Sequence, residues 1–379
     1  MCTFLKKSIH LFLLAILPTA WLSCSNPRST DGRQELMDSK ESSDTSRWYT
    51  YWNADSTQFG FKDAAGNIMV EPKFVGVSYL YVLDHITAVT EEVDNKWSSY
   101  YLTKTGKQFG RDSLYFFDNT PDCEHEGFIR FKNHKTDKVG LLNKNGDVII
   151  PAEYNDLTQA RNGMLMALKG AEKKYYPGGE HYSWEGGKEF LIDTNGHILI
   201  ENFKRDDDLN FYSLAISDKA SNDPIRKSFK ATNGKYYSFV DFDSEFKAWL
   251  NKDLLANFTK ENLQNSAHDS ISFWKEDVGW VAENKLSFID RNFDLIQSKL
   301  MSLKDDKTDY HIFTDGLNPY IYEWDFFTKF YNNCGEALVW RYPIKQIVIS
   351  YNTETDLQQD HFDFLRTDDG YKLISVSIP

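Results

Sequence analysis

Cysteine is scarce in this chain, with four residues in 379. Cys2 and Cys24 belong to an N-terminal apolar segment, which leaves Cys123 and Cys334 for the folded part, in two different predicted domains. Small exported scaffolds that depend on disulfides carry cysteine at a much higher density. We therefore expect a fold without a disulfide framework.

Catalytic motifs are also missing. The sequence contains no Gly-x-Ser-x-Gly elbow, no His-Glu-x-x-His zinc motif and no P-loop. We therefore predict neither an enzyme nor a cofactor. One alternative stays open, an enzyme or enzyme accessory acting on envelope polysaccharide or peptide, because a glycosidase carboxylate pair can assemble from distant residues.

Positive charge is in deficit. The chain has 43 Lys and Arg residues against 56 Asp and Glu residues, a formal net charge of −13. A surface of this sign repels phosphate backbones, so nucleic acid is not an expected partner.

The first 24 residues are typical of an export signal. Lys6 and Lys7 precede an apolar stretch at residues 9–17, which is shorter than the ~20 residues of a membrane span. The segment ends in Leu22-Ser23-Cys24, which resembles a bacterial lipobox and implies a lipid on Cys24. The alternatives are an ordinary cleaved secretory peptide and an uncleaved anchor.

Residues 25–48 are polar and predict a disordered tether. No acidic residue directly follows Cys24, which favours the outer membrane. We expect a lipid-anchored protein of the bacterial cell envelope. Its expected partners are the membrane, through the anchor, and an envelope protein or glycan of unknown identity.

Glycine recurs at a fixed interval in the first half of the chain. Gly66, Gly106 and Gly146 are 40 residues apart, Gly196 follows after 50, and a doubtful copy lies at Gly234. Each glycine separates an apolar run from a second, often β-branched run, which predicts a hairpin whose turn needs positive φ. One such unit buries too little apolar surface alone, so neighbouring units must stack.

Residues 60–74 and 140–154 show the repeat most fully, because they match in spacing throughout. They resemble the bacterial WG-repeat family, although Phe59 and Val139 stand where that family has tryptophan. The resemblance covers about residues 49–217 and implies an exported antiparallel β repeat array without known catalytic residues. A period of 40 residues fits an open stack and a small propeller-like ring equally.

The repeat pattern fades after Ser217. Residues 218–235 are polar and are interpreted as a linker, which leaves residues 236–379 as a second domain. Its apolar spacing predicts helices at 241–258 and 288–303, followed by three strands, the last two joined by a hairpin turn at residues 368–370. The sequence thus predicts a mainly β protein whose array precedes a smaller α+β domain.

Two further interpretations concern this second domain. The sequence Asp-Gly-Tyr-Lys-Leu at residues 369–373 resembles the last strand of NTF2-like domains, which implies a cone-shaped α+β fold. A competing interpretation takes residues 278–285 as one more decayed repeat.

The ten additional residues before Gly196 coincide with the strongest candidate site. They fall in the glycine-rich segment 175–187, which contains Tyr175, Tyr176, Tyr182 and Trp184. Insertions in repeat arrays often project from the binding face, and exposed Tyr and Trp anchor many interfaces. We predict that these four side chains bind the partner. The alternative is a long hairpin that folds its aromatic side chains onto the neighbouring repeat.

Two polar segments contain metal-ligand side chains. Residues 122–126 gather Asp, Cys, Glu and His, and residues 205–208 contain three aspartates. A zinc site normally needs four ligands, and an EF-hand loop needs a glycine and a distal glutamate. Because neither segment meets its pattern, we predict polar loops and no metal site.

Overall fold

Antiparallel sheets make up most of the structure. The computed structural model describes residues 47–75, 80–179, 181–322, 327–352 and 357–378, and within these ranges no sheet closes into a barrel. The mainly β prediction is therefore confirmed. The signal segment 1–24 with its Cys24, and nearly all of the tether 25–48, lie outside the described residues. The residues from Thr45 onward group into one compact unit.

Four units follow one another in the array, and in each the second strand lies between the first and the third. The first unit comprises β1 (Trp48–Trp52), β2 (Gln58–Asp63), β3 (Ile68–Val75) and the short β4 (Val82–Leu83). The second unit comprises β5 (Ile86–Val93), β6 (Lys96–Thr103) and β7 (Gln108–Phe109). The third unit follows a short hairpin, β8 (Phe116–Phe117) and β9 (Thr120–Pro121), and comprises β10 (Phe128–Asn133), β11 (Lys138–Asn143) and β12 (Val148–Tyr154). The fourth unit comprises β14 (Met164–Tyr175), β15 (Tyr182–Asp193) and β16 (Ile198–Glu201), and the short β13 (Asp156–Leu157) pairs with β14 at its outer edge.

One turn type joins the second strand to the third in every unit. In the third unit, Gly146 has φ +75° and its N–H donates to the carbonyl of Asn143 at 2.8 Å. The Asn143 side chain accepts the N–H groups of Asn145 and Asp147, which closes the turn. The same glycine geometry recurs in the other units, so the predicted hairpin turns are confirmed.

A second glycine position explains why only two units show the full sequence pattern. Gly60 and Gly140 lie in the second strand, opposite a β-bulge in the third. A Cβ atom on Gly140 would lie 2.5 Å from the carbonyl oxygen of Ile150, and one on Gly60 would meet that of Val70. Glycine is therefore needed where a long third strand passes closely, as in β3 and β12.

The doubtful copy at Gly234 has the same turn, with φ +82° and an N–H bond to Ala231 at 3.0 Å. It joins β18 (Arg226–Lys230) to β19 (Tyr236–Asp241), and β17 (Leu209–Ser217) adds to this hairpin. The strand order is β17-β19-β18, so here the strand after the turn occupies the centre. The fifth turn therefore belongs to a unit with altered pairing.

The interpretation of residues 218–235 as a linker is wrong for its second half. β18 pairs with β19 over five residues, and Phe229 packs against Phe203 and Phe239 with ring centroids 4.8 and 6.2 Å apart. One well-placed aromatic residue and a ladder of backbone hydrogen bonds are enough to hold a strand of polar composition. The predicted boundary at residue 236 consequently cuts through a sheet.

Each apolar core of the array joins two consecutive units, as stacking requires. The residues Phe61 and Tyr100 share a core between the first and second units, and Ile129 joins Tyr101 between the second and third. Leu141 and Leu165 meet between the third and fourth units. The remaining core lies between the fourth unit and the β17-β19-β18 sheet.

The C-terminal part is an α+β arrangement, as predicted. Its helices are α1 (Phe242–Trp249), which continues as a π-helical turn (Leu250–Leu254), α2 (Lys260–Asn265) and α3 (Lys285–Met301), with short 3-10 turns at Ser302–Lys304 and Thr328–Phe330. Its strands are β20 (Ala267–Lys275), β21 (Gly279–Asn284), β22 (Tyr310–Asp315), β23 (Ile344–Asn352), β24 (Leu357–Thr367) and β25 (Gly370–Ser377), in the order β21-β20-β25-β24-β23-β22.

The two predicted helices and the closing hairpin are confirmed in this part. The helix α1 begins after Asp241, whose side chain accepts the N–H of Ser244 at 2.9 Å. A decayed repeat at residues 278–285 does not fit, because α3 begins at Lys285, where a third strand would be required. The NTF2-like resemblance stays a prediction. None of the described helices combines the length and apolarity that a membrane span requires.

A disulfide joins Cys123 to Cys334 across 211 residues, which corrects the expectation of a fold without one. The two cysteines lie far apart in sequence because the chain returns to the array only after the C-terminal sheet has begun. The segment that returns is residues 332–341, here named the strap.

The strap crosses the loops that precede the first strands of several units. At one end, the Asn333 carbonyl accepts the N–H of Tyr81 at 2.9 Å. Further along, Trp340 packs its ring edge-to-face against His125, with centroids 5.3 Å apart. The guanidinium of Arg341 then lies 4.8 Å from the ring of Tyr212 in β17. One segment thus contacts the seven-stranded sheet shared by the first two units, the loop before the third unit, and the β17-β19-β18 sheet.

Candidate binding surface

The insertion before Gly196 is a hairpin that lengthens the fourth unit. β14 and β15 have 12 residues each and meet at a turn in which Gly178 and Gly179 have φ +108° and +78°. The Tyr176 N–H donates to the carbonyl of His181 at 2.9 Å, beside residue 180, which lies outside the described residues. Most of the segment predicted as a loop is therefore strand.

Three of the four predicted aromatic residues lie together on one face of this hairpin. Tyr175 pairs with Tyr182 across the strands, with ring centroids 5.6 Å apart, and Tyr182 meets Trp184 edge-to-face at 5.4 Å. Tyr175 is 56% exposed and Tyr182 is 40% exposed, whereas Trp184 is half-buried. Tyr176 is 57% exposed but lies at the tip, outside this row.

A lysine completes the row. The Lys173 Nζ lies 4.1 Å from the ring centroid of Tyr182 and 5.3 Å from that of Trp184. We name Lys173, Tyr175, Tyr182 and Trp184 the aromatic face. A cation over two rings stabilises both and fixes their orientation.

The aromatic face is anchored on the third unit. The Lys173 Nζ lies 2.6 Å from a carboxylate oxygen of Asp137, whose other oxygen is 2.6 Å from the Nζ of Lys132. Burial alone would raise the pKa of Asp137, but the two ammonium groups bring it below its ordinary value. The Lys173–Asp137 ion pair therefore attaches the hairpin to the third unit. The side chains of Tyr175, Tyr176 and Tyr182 stay largely exposed to solvent.

Beside the aromatic face lies a cavity of about 320 Å³. Trp184 and Gly186 form part of its wall, and the opposite side includes Arg205, whose Nη1 lies 3.2 Å from the carboxylate of Asp156. The face and the cavity together offer ring surface, a cation and a polar recess. This combination suits recognition of a partner and contains no nucleophile paired with a base.

The polar segment 122–126 links units of the array. Asp122 accepts a hydrogen bond from Arg130 Nε at 3.0 Å, and Glu124 accepts the N–H groups of His85 and Ile86 at 3.0 and 2.9 Å. No group of three His, Cys, Asp or Glu side chains in the described part of the chain is placed to hold a metal.

Glu126 extends this linkage to the fourth unit. Its carboxylate accepts the N–H groups of Asn162 and Gly163 at 2.7 and 2.8 Å, and the hydroxyl of Tyr212 at 2.8 Å. Burial and then the Glu126 charge raise the pKa of Tyr212, so the phenol stays a donor. The ligand-type side chains of this segment are therefore occupied within the fold.

The acidic segment 205–208 is likewise used in ion pairs. Asp206 lies 2.8 Å from Lys227, Asp207 lies 3.1 Å from Arg161, and Asp208 lies 3.3 Å from the buried Lys345 of β23. The pairs of Asp206 and Asp208 join this segment to the two sheets that follow, and the pair of Asp207 joins it to the fourth unit.

The sequence pattern located the hairpin that carries the four aromatic residues, but the contacts of Lys173 and Asp137 were not predicted. The signal for Lys173 was present, because a two-residue Gly178-Gly179 turn sets Tyr175 opposite Tyr182 and Lys173 opposite Trp184. No local signal could have revealed Asp137, which belongs to another unit.

Comparison with known proteins identifies one family. The family model described as WG containing repeat matches residues 140–175, from the second strand of the third unit to the end of β14. No curated protein and no solved structure matches the chain.

Proposed function

We propose that this chain, which matches the WG containing repeat at residues 140–175, is a cell-envelope lipoprotein whose repeats form a non-catalytic binding scaffold. The aromatic face carries the proposal. It presents Tyr175 and Tyr182 at the end of a hairpin, where both rings keep much of their surface in solvent. A row of exposed aromatic rings lowers the solubility of a protein, and a hairpin with a purely structural role does not require one.

The aromatic face is ordered before any partner arrives. The contacts of Lys173 with Asp137, Tyr182 and Trp184 hold the ring positions. Tyr and Trp lose little conformational entropy on binding, and a preorganised face loses less still. The proposed partner is an envelope protein or glycan that lays an apolar surface on these rings.

The proposed location rests on two features. The disulfide Cys123–Cys334 supports an oxidising compartment outside the cytoplasm. The lipobox-like ending at Cys24 supports a lipid anchor, and the polar tether after it would separate the described unit from the outer membrane.

A double variant Tyr175→Ala, Tyr182→Ala tests the binding role. Truncating two central rings of an interface removes hot-spot contacts, so we expect at least about a tenfold loss of affinity for the partner. The measurement is a cross-linking pull-down of the tagged full chain from intact source cells, followed by protein identification and sugar analysis of what is captured.

The matched control is Phe117→Ala, since Phe117 is a 74% exposed aromatic residue outside the hairpin. The control should retain the partner that the double variant loses. Equal capture by wild type and double variant would contradict the proposal, and so would an equal loss in the control. A captured protein and a captured sugar distinguish the two partner classes.

Replacing Cys24 with alanine tests the lipid anchor. Without the thiol no thioether to lipid can form, so we expect the full chain to move from the membrane fraction to the soluble periplasmic or extracellular fraction. Fractionation with immunoblotting measures this, with Cys2→Ala as the control that should stay with the membrane. A Cys24→Ala chain that remains in the membrane fraction would show that another segment anchors it.

A further inference from the structure

The second and third units form the walls of an open cavity of about 590 Å³, and no residue of the aromatic face lines it. Its apolar walls come from both units: Phe109, Phe131, Leu142 and Val148. Val148 stands at the opening and is 55% exposed. A volume of this size lies within the range of small-molecule sites, ~300–1,000 Å³.

The cavity follows from the shortness of one strand. The third strand has 8 residues in the first unit and 7 in the third, but β7 has 2. After Phe109 the chain turns away at Gly110, which has φ +70°. A Cβ atom at Gly110 would lie 2.7 Å from the Tyr101 ring, so glycine is required for this close turn. The apolar side of the third unit consequently keeps an uncovered part.

The position equivalent to Gly60 and Gly140 in the second unit is Tyr100, as expected where no long third strand has to pass. Leaving apolar surface uncovered between two packed units is unfavourable at ~25 cal/mol per Å². A ligand that covers this surface regains that free energy.

The rim selects the charge of the ligand. Of the four ionisable side chains that line the cavity, Lys132, His134 and Lys135 are basic and Asp112 is acidic. Lys132 is already paired with Asp137, whereas Lys135 forms no ion pair within the described ranges. The Lys135 ammonium is thus exposed at the rim without a carboxylate partner among the described residues, in a chain with a net charge of −13.

The shape of the walls argues against a sugar stacked on a ring. Tyr101 stacks on Phe109 at 5.7 Å between centroids, and the Lys107 Nζ lies 5.0 Å from the same ring. Gly146 approaches it as well, since a Cβ atom there would overlap the Phe109 ring. The faces of Phe109 are therefore occupied by the protein.

We propose that this cavity binds an apolar carboxylate, such as a medium-chain fatty acid. The alkyl chain would lie along Phe131, Leu142 and Val148, and the carboxylate would meet the Lys135 ammonium at the rim. Shortening of the third strand in one repeat thus creates a ligand site between two repeats.

The test uses three probes with the same alkyl chain: decanoate, decan-1-ol and decyltrimethylammonium, each below its micelle concentration. Binding to the full chain is measured by isothermal titration calorimetry. We expect decanoate to bind at least about tenfold more tightly than the other two. Failure of decanoate to bind, or equal binding of the alcohol or the cation, would overturn the proposal.

Two matched tryptophan variants test whether decanoate binds in this cavity. Val148→Trp puts a large ring at the opening, and Ile198→Trp puts the same ring at the equivalent exposed position of the fourth unit, where Ile198 is 38% exposed. We expect Val148→Trp to weaken decanoate binding at least about tenfold, and Ile198→Trp to leave it unchanged. Equal effects of the two variants would overturn the location.

A third variant, Lys135→Glu, tests the charge. It should weaken decanoate binding about tenfold and leave decan-1-ol binding as it is. An unchanged decanoate affinity would contradict the role of Lys135. Because all three positions are on the surface or at the opening, circular dichroism melts are expected to show an intact fold in each variant.

Discussion

Replacing Cys334 with serine should lower the free energy of unfolding by about 2–5 kcal/mol, because the disulfide with Cys123 closes a long loop. The two residues are 211 positions apart, so the cross-link removes much conformational freedom from the unfolded chain. Guanidinium denaturation followed by tryptophan fluorescence, under oxidising conditions, measures the difference. The strap should also lose protection against amide hydrogen exchange, since Asn333 and Trp340 flank the missing bond along the chain.

Three comparisons separate the disulfide from other effects of the substitution. Cys123→Ser and the double serine variant should lose about as much stability as Cys334→Ser, because each removes the same bond. Adding a thiol reductant should destabilise the wild type and leave the double variant unchanged. A wild type that is insensitive to reductant would show that the cross-link does not stabilise this fold.

The sequence predicted the parts of the fold that depend on neighbouring residues. The turns at Gly146 and Gly196 follow from the need for positive φ between two apolar runs, a requirement contained within a few residues. The helices α1 and α3 follow from apolar spacing, which is local as well.

Features that depend on distant contacts were not predictable in the same way. The strand β18 has a polar composition and is held by its pairing with β19. The disulfide and the strap depend on where the C-terminal sheet returns the chain to the array. In both cases the deciding partner is remote in sequence, so local composition indicates the wrong structure.

The candidate site likewise combines features set by neighbouring residues with features set by distant contacts. The segment and its four aromatic residues could be identified from the ten additional residues of the fourth repeat. The ordering of Tyr182 and Trp184 by Lys173, and of Lys173 by Asp137, required the packing of two units against each other. The cavity beside Phe109 required the same packing, although the shortened third strand is visible in the sequence as a loss of the repeat pattern.

Gly140→Ala should destabilise the protein by about 3 kcal/mol, because a methyl group would enter space that the backbone of β12 occupies. The Cβ atom would lie 2.5 Å from both the carbonyl oxygen of Ile150 and the ring of Phe131. The ring can move, but the carbonyl is held in the β11–β12 ladder, so relief requires the bulge to shift. Guanidinium denaturation of the purified variant measures the loss.

Gly106→Ala is the matched control, since Gly106 has φ +82° and open space where its Cβ would be. That variant should be destabilised by about 1–2 kcal/mol because its alanine takes a left-handed backbone conformation. Gly140 has no positive φ, so the destabilisation of Gly140→Ala comes from steric overlap. A Gly140→Ala variant no less stable than Gly106→Ala would mean that the bulge opposite Gly140 yields easily. The glycine of the repeat would then serve some purpose other than the close passage of the third strand, and the shortness of β7 would no longer account for Tyr100 in the second unit.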